Sequence, residues 1–160
     1  MKRIKYIATI VIACLGFSSC DSVDCTLYNT VLCQMAFYDS NGVSVEITDT
    51  LTVTAAGTDS ILYNKGLKTH SVGLPLSYHN DCDTLCLRIS GRGYELKDII
   101  YISKTNREHF ESLDCPVNMF HEITGVSSTN NVIDSVRITS PSVIYNNGEN
   151  IKIYLHTAAE

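Results

Sequence analysis

No apolar run in the sequence is long enough to cross a bilayer as a helix. The longest, Tyr6 to Phe17, falls well short of the about 20 residues that a hydrocarbon core of roughly 30 Å requires. Charge is sparse at 18% of residues, and beyond the first five positions no Lys/Arg cluster remains to neutralise phosphates, which argues against a nucleic-acid binder. No window past the leader repeats apolar residues at i, i+3, i+4 and i+7, so helix content is small. Nucleophile elbows, phosphate loops and metal signatures are missing too. Gly91-Arg92-Gly93 lacks the further glycine and following helix of a dinucleotide site and reads as a turn. Apolar surface, by contrast, is ample: 44% of the 160 residues are hydrophobic, enough to offset the entropy of ordering one domain and a targeting segment.

The first nineteen residues read as that segment. Lys2, Arg3 and Lys5 precede the apolar run, and Ser18, Ser19 and Cys20 follow it, which is the order of basic, apolar and small-residue regions in a secretory signal peptide. Phe17-Ser18-Ser19-Cys20 resembles a bacterial lipobox, with Phe where Leu is common. On that resemblance Cys20 becomes the first mature residue and carries acyl chains such as palmitate. Several chains on one residue anchor a protein where a single chain is marginal. Val11-Ile12-Ala13-Cys14 is a second, weaker candidate, because cleavage there leaves Leu15-Gly16-Phe17 on the mature end. Without the three leader cations the formal charge moves from −5 to about −8.

Five cysteines remain: Cys25, Cys33, Cys82, Cys86 and Cys115. Outside the cytoplasm thiols are expected to pair, and five allow at most two bridges. Cys82 and Cys86 would lie on one face of a strand about 13 Å apart, too far for a disulfide. The expected pairs are Cys25 with Cys115, closing a loop of about 90 residues for roughly 4 to 5 kcal/mol in the chain-entropy model, and Cys33 with Cys82. Cys86 is then a small buried hydrophobe. The spacing of Cys82 and Cys86 matches half a zinc knuckle, but no second pair completes it.

From residue 33 onward the dominant signal is period-two alternation broken by turn residues every 8 to 12 positions. Met35, Phe37 and Tyr38 form a first strand, and Asp39-Ser40-Asn41-Gly42 turns it back into a strand at Val43, Val45 and Ile47. Leu51, Val53 and Ala55 alternate with threonines. Ser60 to Tyr63 follows a turn at Ala56 to Asp59, and Asn64-Lys65-Gly66 turns again. Pro75 within Val72 to Ser77 marks an edge strand. Leu85, Leu87 and Ile89 line one face of the next, while Tyr94 to Ser103 reads as a central strand covered on both faces. Lys104 to Cys115 has polar density and no period, as a long loop would. Val117 to Val126, Val132 to Thr139 and Ile151 to Leu155 supply three more strands, with turns at Asn130-Asn131 and Asn146-Asn147-Gly148. The expectation is an all-β fold, a single antiparallel β-sandwich of eight or nine strands over residues 33–160, after a tether at 20–32. A lipocalin-like β-barrel is the alternative.

Chemistry-bearing residues are few. Asp81 and Asp83, with Asp59 in another turn, could contribute oxygens to a cation, but the loop lacks the EF-hand glycine and terminal Glu. His109, Glu111, Cys115 and His121 are the nearest approach to a catalytic set, a Cys/His pair being able to supply nucleophile and base. A bridged Cys115 removes the nucleophile, so the chain is read as no enzyme. No cofactor is expected.

Asp24-Cys25, Thr50-Leu51-Thr52-Val53, Gly73-Leu74-Pro75-Leu76-Ser77, Phe110 to Cys115, Ile133-Asp134-Ser135-Val136 and Asn150 to Leu155 together resemble a family of uncharacterised lipoproteins from Bacteroidales-type bacteria. Members often carry Gly after the cysteine where Pro116 stands here. The resemblance implies an envelope compartment and a β fold, with no activity to carry over. The expected function is therefore a lipid-anchored module at the outer membrane that binds an envelope protein or glycan. The alternatives are a barrel-type carrier of a small ligand and an enzyme using the His109/Cys115 region.

Overall fold

A computed structural model describes residues 30–58, 60–112, 115–145 and 148–156. Among these residues ten strands follow one another: β1 (Cys33–Tyr38), β2 (Thr50–Ala55), β3 (Ile61–Gly66), β4 (Ser71–Leu74), β5 (Cys82–Gly91), β6 (Tyr94–His109), β7 (Asn118–Ser128), β8 (Ile133–Ile138), β9 (Ser142–Val143) and β10 (Ile151–Leu155). They form two sheets, one ordered β4-β1-β10-β8 and the other β3-β2-β5-β6-β7-β9. The fold is all-β, as the alternation predicts. Every pairing is antiparallel except β1 with β10, which run parallel and bind the first strand to the last. Among the described residues no helix is long and apolar enough to cross a membrane.

The inward positions of both sheets fill one core. Met35 and Phe37 from β1 and Ile151 and Ile153 from β10 come from the smaller sheet. Leu51 and Val53 from β2, Leu85 and Leu87 from β5, and Ile100 and Ile102 from β6 come from the larger. All ten are 2% exposed or less. Each is an alternate residue of a strand whose intervening residues face outward, so a one-residue slip would exchange core for surface.

Turn chemistry sets the first hairpin. The Asp39 carboxylate accepts the N–H groups of Asn41 and Val43, and Gly42 takes φ +80°, a region that strains any residue with a Cβ. The chain after it makes two isolated bridges, Tyr38 to Ser44 and Ile47 to Thr69, and Val43 is exposed, so the segment expected as a strand at Val43 to Ile47 is a connection held at two points and not a continuous ladder. Asn64-Lys65-Gly66 belongs to β3, where Lys65 at φ +48° makes an irregularity in the pairing with β2. β4 stops at Leu74, before Pro75, on the edge of its sheet.

The largest departure concerns β6. It runs sixteen residues to His109, through half of the segment that reads as a loop. The inward positions continue in phase from Asp98, Ile100 and Ile102 to Lys104, so the inward residue is polar and the apolar signal disappears while the strand persists. Nor is its first half covered on both faces: Tyr94, Leu96 and Tyr101 are exposed. Pairing with β7 slips at Ser103/Lys104, with Ser103 opposite Gly125 and Lys104 opposite Ile123. The extra residue, Thr124, is a β-bulge that brings Ile123 and His121 onto the core side opposite Lys104 and Asn106.

Candidate functional site

One end of the sandwich holds a buried polar constellation. β5 contributes Asp83, β6 Lys104 and Asn106, β7 His121, and the connection between β4 and β5 contributes Ser77 and Asn80. The Lys104 side chain is fully buried. Its ammonium donates to the carbonyls of Ser77 and Asn80, both at 2.6 Å, and to Asn106 Oδ1 at 2.7 Å, with the Asp83 carboxylate 3.5 Å away. Asp83 also accepts the Ser77 N–H at 3.1 Å. A buried cation is tolerable only when paired and hydrogen-bonded, and here three acceptors and one carboxylate meet that demand.

The same network fixes the tautomer of His121. Asn106 Nδ2 donates to the Asn80 carbonyl and its Oδ1 accepts from Lys104, so the amide orientation is set. His121 Nδ1 lies 2.8 Å from that Oδ1 and must carry the proton. Nε2 is then a bare lone pair, buried without a partner among the described residues. Burial, and secondarily the Lys104 charge, pull the His121 pKa down to about 4. The ring is neutral at neutral pH. In the same region burial, and then the Asp83 charge, push the Cys33 thiol up to about 12. Beside the connection an open cleft of about 360 Å³ is lined by Leu62, Leu76, Cys82, Asp83 and Leu85, among others.

A second buried charge lies six residues back on β6. The Asp98 carboxylate accepts the backbone N–H groups of Asn131, Val132 and Ile133, the Asn131 side-chain amide and the Thr129 hydroxyl. Burial opposes its ionisation, but the hydrogen bonds from Thr129, Asn131, Ile133 and Val132 outweigh it and hold the carboxyl below its ordinary range. This ties β6 of one sheet to the start of β8 in the other. Asn150 does similar work between β1 of the smaller sheet and β9 of the larger: its Oδ1 accepts from Gln34 N, and its amide donates to the carbonyls of Ser140 and Ser142.

The residues singled out by sequence separate. Cys20 and Cys25 lie outside the described residues, as does Asp59. Cys33 and Cys82 do not bridge each other: both are free thiols, Cys33 buried on β1 of the smaller sheet and Cys82 exposed at the start of β5 in the larger. Cys82 occupies an outward position of β5, next to inward Asp83, so its sulfur faces away from the interior that holds Cys33. Cys86 is free and buried. Cys115 is not free. Asp83 is engaged by Lys104 and Ser77, while Asp81 contributes its backbone carbonyl to Lys104 N. Among the described residues no three His, Cys, Asp or Glu side chains are grouped to hold a metal ion.

His109 and His121 fall on opposite faces of the β6–β7 ribbon. His121 faces inward, whereas His109 stacks on Phe120 with ring centroids 4.2 Å apart, and Tyr145 meets both rings edge-on. Asn118 Nδ2 donates to the Tyr145 hydroxyl, and the Arg107 guanidinium lies 5.8 Å from the centre of the Phe120 ring. The two histidines of that nearest approach to a catalytic set are therefore separated, with His109 serving an aromatic stack. Lys104, Asn106 and Asp98 escaped notice in the sequence, although extending the phase of Ile100 and Ile102 by two in each direction points Asp98 and Lys104 inward.

No curated protein and no solved structure matches the chain. A family model does match, over residues 50–155, which span β2 to β10 and include the buried Asp83, Asp98 and Lys104. The chain belongs to that family, DUF6452, a family of unknown function.

Proposed function

We propose that the chain is a Bacteroidales-type lipoprotein, a lipid-anchored binding module of the cell envelope seated at the outer membrane. Residues 1–19 form its signal peptide, 20–32 its tether and 33–160 its β-sandwich domain. Cys20 carries the lipid, and Cys25 bridges Cys115. The module engages an envelope protein or glycan, without catalysis or cofactor. One observation carries the binding reading: the buried charges Asp83, Lys104 and Asp98 are spent on internal partners that fix the sandwich. What the molecule offers outward is side chains on rigid sheet faces, a surface suited to recognition. Three recesses among the described residues, lined by β6, β7 and β9, by β2, β5 and the β4–β5 connection, and by β8, β10 and the first turn, are open to solvent, which favours a module over a carrier with an enclosed chamber.

The anchor is tested by replacing Cys20 with Ser and feeding cells an alkyne-tagged palmitate. The wild-type chain takes up the tag and sediments with membranes, and C20S does neither. Unchanged membrane retention of C20S defeats the anchor. Peptide mapping without reductant should recover Cys25 and Cys115 in one cross-linked fragment, and alkylation of both as free thiols defeats that pairing. Cross-linking on intact cells tests the binding module by capturing a defined envelope component.

A further inference from the structure

We infer that the outer face of the four-stranded sheet carries a saccharide-binding site, centred on the cleft between the β1 hairpin turn and strands β8 and β10. The inference rests on the reading of the chain as a binding module and names its ligand class. The cleft measures about 270 Å³ and is lined by Asn41 and Gly42 from the turn, Asp134, Ser135 and Arg137 from β8, and Tyr154 from β10, among others.

Sequence position explains how these side chains converge. Lys152 and Tyr154 alternate outward from the core residues Ile151 and Ile153, and in the ladder they stand opposite Arg137 and Ser135. Tyr154 also pairs across the parallel ladder with Tyr38, the last residue before the turn. That turn is locked by Asp39, so Asn41 and Gly42 form a fixed wall at the end of the sheet.

The chemistry of the lining selects the ligand. A sugar hydroxyl both donates and accepts, so its site needs donors and acceptors interleaved, with an aromatic ring for the apolar C–H side of the sugar. Here Asp134 accepts, Arg137 donates, and Ser135 and Asn41 can do both. Asp134 is half exposed, its carboxylate 3.7 Å from the equally exposed His156 ring. Arg137 forms no ion pair among the described residues; its guanidinium lies instead 5.5 Å from the centre of the Tyr154 ring, whose position it steadies.

From Tyr154 the aromatic surface continues to Tyr38, with ring centroids 5.8 Å apart. The Tyr38 hydroxyl is fixed by Glu149 at 2.6 Å, and the Lys152 ammonium stands 4.5 Å over its ring. A chain of sugar residues leaving the cleft past Tyr154 would thus meet the Lys152 ammonium and the Glu149 carboxylate, a further donor and acceptor for its hydroxyls. A phosphate or nucleic acid is opposed by Asp134 and Glu149, because such ligands call for cations without interleaved carboxylates. A protein partner's apolar anchor would find a single aromatic ring among the cleft's lining residues and no apolar pocket to fill.

The test uses the full chain in detergent micelles, applied to an array of neutral and carboxylate-bearing oligosaccharides, with positives titrated calorimetrically. Wild type binds at least one saccharide. Asp134→Ala and Asn41→Ala each weaken binding by roughly tenfold, as loss of a hydrogen-bonding partner would, and Tyr154→Ala does so more strongly. Tyr101→Ala, on the outer face of the other sheet, binds like wild type. Matching thermal melts of D134A and N41A keep the result readable if Y154A unfolds. A saccharide whose affinity none of these changes alters overturns the site. An array without signal, while cell-surface cross-linking captures an envelope protein, overturns the saccharide inference and leaves the binding module standing. Neither signal brings down both.

Discussion

Asp98 and Lys104 stand six residues apart on the same inward face of one strand, both nearly sealed from water, with opposite charges and opposite solutions to burial. The anion is met by donors: three consecutive backbone N–H groups at Asn131, Val132 and Ile133, plus two side chains. The cation is met by acceptors: two carbonyls of one connection, an amide oxygen and a carboxylate. Peptide dipoles neutralise each charge by presenting the matching end. The difference lies in what else is drawn in. Asp98 needs only one turn and its hydroxyl, whereas Lys104 brings with it a second titratable group, Asp83, and through Asn106 a third, His121. One end of β6 is a self-contained clamp, and the other is a coupled network.

The largest expected effect comes from breaking the network at its centre. Lys104→Met keeps the apolar stem but leaves the Asp83 carboxylate buried without its cation, and about 3 to 5 kcal/mol of unfolding free energy should be lost in urea titration. Adding Asp83→Asn should restore part of it, since the uncompensated charge is then gone. Additive losses in the double variant would show that the two groups are not coupled. The clamp should break differently. Asp98→Asn retains one acceptor oxygen but turns an N–H₂ group toward the amides of residues 131–133. A loss of about 2 to 3 kcal/mol is expected, with no partner substitution able to recover it.

Sequence made the scaffold legible far better than these groups. Leu51, Val53, Leu85, Leu87, Met35 and Phe37 announce their strands, because an apolar residue at every second position suits a half-buried strand and neither a helix nor a solvated loop. The same logic failed from Lys104 onward. There the inward residues are Lys104 and Asn106, and a polar residue facing a polar network carries the same letters as one facing water. Val43 to Ile47 failed in reverse: it alternates like a strand but has little to pair with, since β1 is flanked by β4 and β10. Pairing partners are a property of topology, and no local window contains topology. The Cys33–Cys82 expectation failed for a related reason. Oxidising surroundings predict that thiols pair, but only the inward or outward phase of each strand decides which can meet.

Acid should separate the clamp from the network by pH window. His121 in the folded chain titrates near 4, against about 6.5 when unfolded, so between those values the unfolded state binds the extra proton. Stability therefore falls as pH drops from about 6.5 toward 4 and levels off below, where the folded state is protonated too. Asp98 acts lower. Its folded pKa is depressed, so its contribution is complete above the unfolded value of about 3.9 and is lost as pH falls from there through the folded value. Urea midpoints measured across pH 3 to 7 should show both slopes. His121→Gln should flatten the upper one alone, and Asp98→Asn the lower one alone. A wild-type profile flat between pH 6.5 and 4 would contradict the neutral, network-held imidazole.

The smallest effects sharpen the comparison through the free thiols. Cys33 shares the network's end of the core, where burial, and then the Asp83 charge, keep it protonated far above neutral pH. Because the thiolate is the reacting species, native Cys33 should resist a disulfide reagent at pH 8 and react only when the domain opens, whereas exposed Cys82 should react at once. Cys82→Ser should then change stability by no more than about 0.5 kcal/mol and remove the fast phase of labelling. With buried Cys86, the other free thiol of the described residues, also replaced by Ala, the slow phase that remains reports Cys33 and so opening at the network end. Lys104→Met should accelerate it by at least as much as global stability falls, while Asp98→Asn should accelerate it only through global unfolding. Equal acceleration by the two variants at matched stability would mean that the core opens as one unit, and that the two ends of β6 differ in chemistry but not in cooperativity.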